Sequence, residues 1–228
     1  MPPVGNDIVD LAAPCNLGKS GDGRFCGRVF TAEERALIAG SPRSDTHLWA
    51  FWAAKEAAYK AVSRGDPAVC SIPRQYRVVL ETADAAETAA RLDGKVITPR
   101  GEMALRIAVT ADYVHALAAA TETDITRLCR RVDRLKGTEG DADPSAFVRG
   151  KLLREIARRL GCPAADLSVV KDPDDSGVPR VLFRGRVLTA KVSLSHDGRF
   201  TAFAFDPAAM IPAEPGRREK SCREGAFS

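Results

Sequence analysis

Residues 48–60, Leu-Trp-Ala-Phe-Trp-Ala-Ala-Lys-Glu-Ala-Ala-Tyr-Lys, set three charges inside an otherwise apolar run. Read as a helix, this stretch puts Leu48, Trp52, Tyr59 and Val62 on one face. Lys55 falls near the middle of that face, and Glu56 and Lys60 stand one turn apart beside it. A surface helix carries its charges opposite its apolar stripe. Burying a carboxylate and two ammonium groups is costly unless they meet a metal, an anion or one another. These three residues are therefore expected to face a ligand.

A second feature stands at the front of the chain, Val4-Gly5-Asn6-Asp7-Ile8-Val9-Asp10-Leu11. Apolar residues alternate around Asp7, as in a short half-buried strand. Gly5 allows close backbone approach, and Asp7 offers a hard oxygen of the kind Mg²⁺ prefers. Near the end, Val192-Ser193-Leu194-Ser195-His196-Asp197-Gly198-Arg199-Phe200 reads as a strand and an Asp-Gly turn. A second strand follows, so two hydroxyls and an imidazole collect near one hairpin turn.

Gly5-x-Asp7, Trp52-Ala-x-Lys55-Glu56-Ala-x-x-Lys60 and Ser193-x-Ser195-His196 resemble the three motifs of the 4′-phosphopantetheinyl transferase superfamily. Arg28-Val29-Phe30-Thr31-Ala32-Glu33-Glu34 is similar to the segment that joins the first two. Leu153-Arg154 with Leu160-Gly161 resembles the first helix of the long, surfactin-synthetase-activating type. Gly177-Val178-Pro179 stands where that type has Gly-Lys-Pro. The resemblance touches most of residues 4–206.

The order of the pieces differs from that of the long type, in which the half with Ser-x-Ser-His comes first. Here residues 1–122 carry the Gly-x-Asp and Lys-Glu-Ala motifs, and residues 123–206 carry Ser-x-Ser-His. The short type has the same motif order but is much shorter. The resemblance therefore implies a circularly permuted member with an α+β fold. Two similar halves, each a long helix packed on a small mostly antiparallel sheet, would form a pseudo-dimer, with residues 207–228 as a disordered tail.

Along the chain, the pattern predicts a strand over 4–11, a Gly-containing loop over 14–27 and a helix from Thr31, with Glu34 completing a capping box. A long helix is expected over 46–63, with strands over 74–80, 104–110 and 113–119. A polar, acidic loop over 137–144 and a helix over 145–160 come next. The remaining strands are expected over 167–170, 180–183, 190–195 and 200–205.

Composition narrows the alternatives. No apolar stretch approaches a membrane span, and the N-terminus lacks the layout of a signal peptide, so a cytoplasmic protein is expected. Six cysteines, at 15, 26, 70, 129, 162 and 222, form no Cys-x-x-Cys pair, which argues against zinc. Residues 127–159 hold ten Lys/Arg against five Asp/Glu. That excess reads as a solvated helix face or as an anion-binding surface for coenzyme phosphates or an acidic carrier protein. Phe147 is its one aromatic residue, too little interleaving for nucleic acid to be expected as a partner.

By resemblance, the chain transfers 4′-phosphopantetheine from coenzyme A to a serine of an acyl or peptidyl carrier protein. Adenosine 3′,5′-bisphosphate leaves, and the protein acts as a monomer. Asp7 and Glu56 would bind Mg²⁺. Lys55 and Lys60 would face phosphate, with Ser195, His196 and Arg154 also contacting coenzyme A. The catalytic base would be Glu56 or a metal-bound water, assisted by Lys60. The plainer readings are a snorkelling Lys55, a Glu56–Lys60 surface pair, local hairpin hydrogen bonds for Ser195 and His196, and an ordinary helix-surface Arg154. Val9 stands where the long type carries a further acid, and Val178 replaces a lysine. A non-catalytic coenzyme A or carrier-protein binding module is the alternative.

Overall fold

The computed structural model describes residues 3–66, 68–81, 90–135, 143–171 and 178–210. The first half opens with β1 (Val4–Asp10), followed by two short 3₁₀ turns and helices α1 (Gly23–Val29), α2 (Ala32–Gly40) and α3 (Ser44–Ser63). Strands β2 (Arg77–Leu80), β3 (Ala90–Thr98), β4 (Gly101–Val109) and β5 (Tyr113–Ala119) complete it. They form one antiparallel sheet in the order β1-β5-β4-β3-β2. Helix α3 packs on this sheet and supplies more of the first core than any other single element.

The small residues of α3 decide how closely the sheet approaches. Ala50, Ala53, Ala54, Ala57, Ala58 and Ala61 are all fully buried. At Gly5, a Cβ would fall 1.8 Å from the Ala57 carbonyl oxygen. Only glycine lets β1 lie against α3 at this depth. That contact carries Asp7, two residues on, to the Glu56–Lys60 side of the helix.

Helix starts follow local chemistry. Thr31 Oγ1 accepts from the Glu34 N–H, and Glu34 returns a bond to the Thr31 N–H, the capping box expected for α2. Helix α3 begins without a side-chain cap on Arg43. Instead Asp45 in its first turn accepts the N–H groups of Gly18 and Ser20 at 2.6 and 2.7 Å. A carboxylate there also suits the positive end of the helix. This tie orders the segment expected to be a loop over 14–27, which contains both 3₁₀ turns and the start of α1.

The second half contains α4 (Glu122–Arg127), β6 (Cys129–Arg134), α5 (Pro144–Leu160), β7 (Leu167–Lys171), β8 (Pro179–Phe183), β9 (Arg186–Val187), β10 (Val192–Asp197) and β11 (Phe200–Phe205). Its described strands form two three-stranded antiparallel sheets, β10-β11-β6 and β7-β8-β9, where one small sheet was expected. Leu152 and Ile156 of α5 pack with Val181, Val192, Phe203 and Phe205 into a separate core. The fold is thus a mixed α/β arrangement of antiparallel sheets. Helix α4, which follows the expected boundary at residue 122, packs on β4 and β5, with Ile125 buried.

Strands β3 and β6 and helix α4 were not foreseen. In β3, residues 92, 94, 96 and 98 are the buried positions, but Gly94 and Thr98 interrupt the apolar alternation. A Cβ on Gly94 would lie 2.3 Å from the Val79 carbonyl oxygen, so glycine is required there. Strand β6 reads Cys-Arg-Arg-Val-Asp-Arg, an edge strand too charged to show a period of two. The expected disordered tail begins too early. A 3₁₀ turn at Pro207–Ala209 buries Ala209, whose carbonyl accepts from Thr189 Oγ1. Residues 211–228, the centre of the acidic loop at 136–142, Gly177 and Cys222 lie outside the described residues. The other five cysteines are free thiols. Among the described residues, no helix is long and apolar enough to cross a membrane.

The halves meet where β1 runs beside β10. Val4 packs with Leu117, Leu128 and Ala204, and Ile8 with Phe200 and Ala202. Between these two apolar clusters the contact is polar.

Candidate active site

A cleft of about 310 Å³ opens along that seam. Asp7 comes from β1, Glu56 from α3, and His196 and Asp197 from the end of β10. Phe25, Trp49 and Trp52 form one wall, with ring centroids 5.6–6.3 Å apart. Trp49 is fixed by its indole N–H, which donates to the Asn16 carbonyl at 2.9 Å.

The polar floor is short of positive charge. Lys60 Nζ donates to Asp7 Oδ1 at 2.6 Å and to the Asn6 carbonyl at 3.3 Å. Burial pushes the Asp7 carboxyl above its usual range; Lys60 pulls it back, and the charge of Asp197 adds to the rise. Burial likewise raises Glu56, and Asp7 adds to it while Lys60 opposes. Two carboxylates thus share one lysine in a poorly solvated corner. Such a pair has room for a cation.

Lys55 is not part of this floor. It is 1% exposed and points into the core, about 100° around α3 from the cleft residue Glu56. Its ammonium meets Glu34 at 2.8 Å and donates to the carbonyls of Pro73 and Tyr76. It also lies over the Phe30 ring. Burial lowers its pKa, and the Glu34 charge offsets part of that. A phosphate-facing Lys55 was expected; here three acceptors occupy its three N–H groups. The apolar-face argument was right that the charge needed a partner, but the partner is Glu34.

Ser195 is likewise turned away from the cleft. It is buried, and its hydroxyl donates to Asn6 Oδ1 at 2.7 Å. Ser193 Oγ accepts from the Asn6 N–H at 2.9 Å. Both hydroxyls join the halves. His196 is exposed on the cleft rim, with Nε2 3.3 Å from Ser145 Oγ at the start of α5. Arg154, farther along α5, is exposed and does not line the cleft. Asp10 also lies outside it: Arg199 grips both its oxygens at 2.7 and 2.8 Å, and the Arg199 N–H bonds it at 2.8 Å. Burial alone would raise Asp10, but these Arg199 bonds outweigh it and hold the carboxyl low.

Asn6, Asn16 and Asp197 were not singled out from the sequence. Asp197 Oδ2 accepts from the Asp10 N–H at 2.8 Å and from Asn16 Nδ2 at 2.7 Å, which fixes the hairpin against the β1 end. One signal was present: Asn6 is a polar residue between Gly5 and Asp7 in a strand buried at every position. His47 and His115, which carried no motif, are both buried core residues.

The family model described as the 4′-phosphopantetheinyl transferase superfamily matches residues 3–118, which contain Asp7, Glu56 and Lys60. The mitochondrial holo-[acyl-carrier-protein] synthase of Eremothecium gossypii is 35% identical over 79 residues. That match covers 34% of this chain and 44% of the relative, so less than half of the relative's length is spanned. With the family match extending over half the chain, and with Asp7, paired to Lys60, meeting Glu56 at one cleft, the chain belongs to the 4′-phosphopantetheinyl transferase superfamily.

Proposed function

We propose that this cleft transfers 4′-phosphopantetheine from coenzyme A to a serine of an acyl or peptidyl carrier protein. One observation carries the reading: Asp7 and Glu56 from the first half line a single cleft with His196 from the second, and Lys60 is bonded to Asp7. The family membership and the printed name of the relative support the same chemistry.

Magnesium suits the donor set. Asp7 and Glu56 offer hard oxygens, and Lys60 is the cation that offsets the effect of burial on both. Among the described residues no three His, Cys, Asp or Glu side chains converge as a metal site. Two carboxylates would therefore hold the ion, with water and phosphate oxygens completing its shell, as Mg²⁺ tolerates. When bound, it would neutralise charge on the pyrophosphate.

The residues divide the remaining work. Lys60 holds Asp7 in place and adds positive charge beside the phosphates. His196 on the rim donates to a coenzyme phosphate. The aromatic wall excludes water from the reacting centre. Glu56, its carboxyl raised by burial, accepts the proton of the carrier serine. The serine oxygen bonds to the phosphorus bearing the pantetheine arm. The bond from that phosphorus to the bridging oxygen breaks, and adenosine 3′,5′-bisphosphate departs with the electron pair. We take the protein to act as a monomer in the cytosol.

Incubation with coenzyme A, Mg²⁺ and an apo carrier protein tests the reading by mass spectrometry. The carrier should gain one phosphopantetheine arm. Binding of coenzyme A without that mass gain would support the non-catalytic module, which the withdrawal of Lys55 and the presence of Val9 favour.

We also infer that the halves are permuted relative to the long type. Support comes from Val4 and Ala204, which share one cluster near the two ends that the ordinary chain order would join.

A further inference from the structure

The seam between β1 and β10 holds one side chain that the chemistry above leaves without a role. Asn6 is fully buried. Its Oδ1 accepts from Ser195 Oγ at 2.7 Å and lies 3.3 Å from His115 Nε2. Its Nδ2 has no hydrogen-bond partner among the described residues. A buried amide donor without a partner is costly, and an aliphatic residue would fill this strand position without that cost. What the amide adds is a link between three strands: β1, β5 through His115 and β10 through Ser195.

The link bears on His196. Ser193 and Ser195 both bond to Asn6, one through its backbone N–H and one through its side chain. A shift of β10 by one residue along β1 would turn both hydroxyls to the other face, so Asn6 would lose both serine bonds and keep only His115 at its Oδ1. Buried polar groups that are matched in only one register specify that register. His196 directly follows Ser195, so the register of β10 fixes where its imidazole meets the cleft. His115 stays neutral as the other partner, because burial, with Arg130 and Lys60 adding, pushes its pKa down to about 3.

We propose that Asn6 is a positioning residue: its amide locks β10 in register against β1 and so sets His196 across the cleft from Asp7 and Glu56. The part that concerns coenzyme A rests on the transfer reading, whereas the register does not.

Asn6→Ala and Ser195→Ala remove the same hydrogen bond from opposite strands. In each, calorimetry with coenzyme A and Mg²⁺ should show affinity weakened about tenfold, the size of one lost hydrogen bond. The loss should appear in KM more than in kcat, and amide exchange over residues 192–197 should accelerate. The double variant should be no worse than the weaker single one, since both break one interaction. Unchanged affinity with unchanged exchange in both single variants, or full additivity in the double, overturns the proposal. If Asn6→Ala does not fold, Ser195→Ala carries the same comparison. If the wild-type protein binds no coenzyme A, the transfer reading falls, and exchange over residues 192–197 decides the register claim alone.

Discussion

The Lys55 ammonium lies 2.8 Å from the Glu34 carboxylate, with both side chains sealed in the first core. Glu34 also accepts the N–H groups of Thr31 and Val78, so one carboxylate ties α2, α3 and β2 together. Removing either member leaves the other as a buried charge. Lys55→Ala is expected to cost about 3–5 kcal/mol in urea unfolding. Lys55→Ala combined with Glu34→Ala should cost less than the sum of the two single changes. Equal stability of Lys55→Ala and wild type would show that the pair is dispensable.

Gly5→Ala tests the close approach of β1 to α3. The added carbon would overlap the Ala57 carbonyl oxygen, which is backbone and cannot turn aside. The strand must move out, taking Asp7 with it, at a cost of about 1–3 kcal/mol or more. Thermal melting should fall and transfer should fall with it. Wild-type melting with wild-type transfer would contradict the packing.

The two cleft carboxylates predict a linked response to pH and metal. Their folded pKa values lie above the ordinary 3.8 of Asp and 4.5 of Glu. Over that window the folded protein binds more protons than the unfolded chain, so their contribution to stability falls as pH rises through the raised values. Added Mg²⁺ should therefore raise the melting temperature at about pH 7.5 and have little effect near about pH 4. Glu56→Gln removes one repelling charge; it should melt no lower than wild type without metal and lose most of the Mg²⁺ response. Its transfer rate should drop at least about 100-fold. A Mg²⁺ shift of undiminished size in that variant would remove Glu56 from the metal site.

The permuted order can be reversed in a test protein. Opening the chain inside residues 123–127 would cut α4 and expose Ile125, which is 1% exposed. The break belongs between Ala120 and Thr121, ahead of the Thr121 cap on the Asp124 N–H. A short flexible linker from Asp206 to Val4 then restores the ordinary order, and surface openings of this kind are commonly tolerated. Transfer within about tenfold of wild type is expected. A folded but inactive product would count against the permuted reading.

Local patterns were enough for much of this protein. The capping box at Thr31 and Glu34, the strand at Tyr113–Ala119 and the long helix around residues 44–63 follow from spacing and turn chemistry, which neighbouring residues settle among themselves. The misfit charges at 55, 56 and 60 were visible for the same reason. What spacing could not supply was their partners. Lys55 and Glu56 are adjacent in sequence, yet the helical turn between them sends one into the core to Glu34 and the other to the cleft with Asp7. Likewise the alternation of β10 exposes His196 and turns Ser195 back to Asn6, a residue far away in the chain. Sequence determined that these groups must be paired, because burying charge and amide unpaired is costly. Only the tertiary structure decided with whom, because the pairing depends on how closely β1 settles on the alanine face of α3.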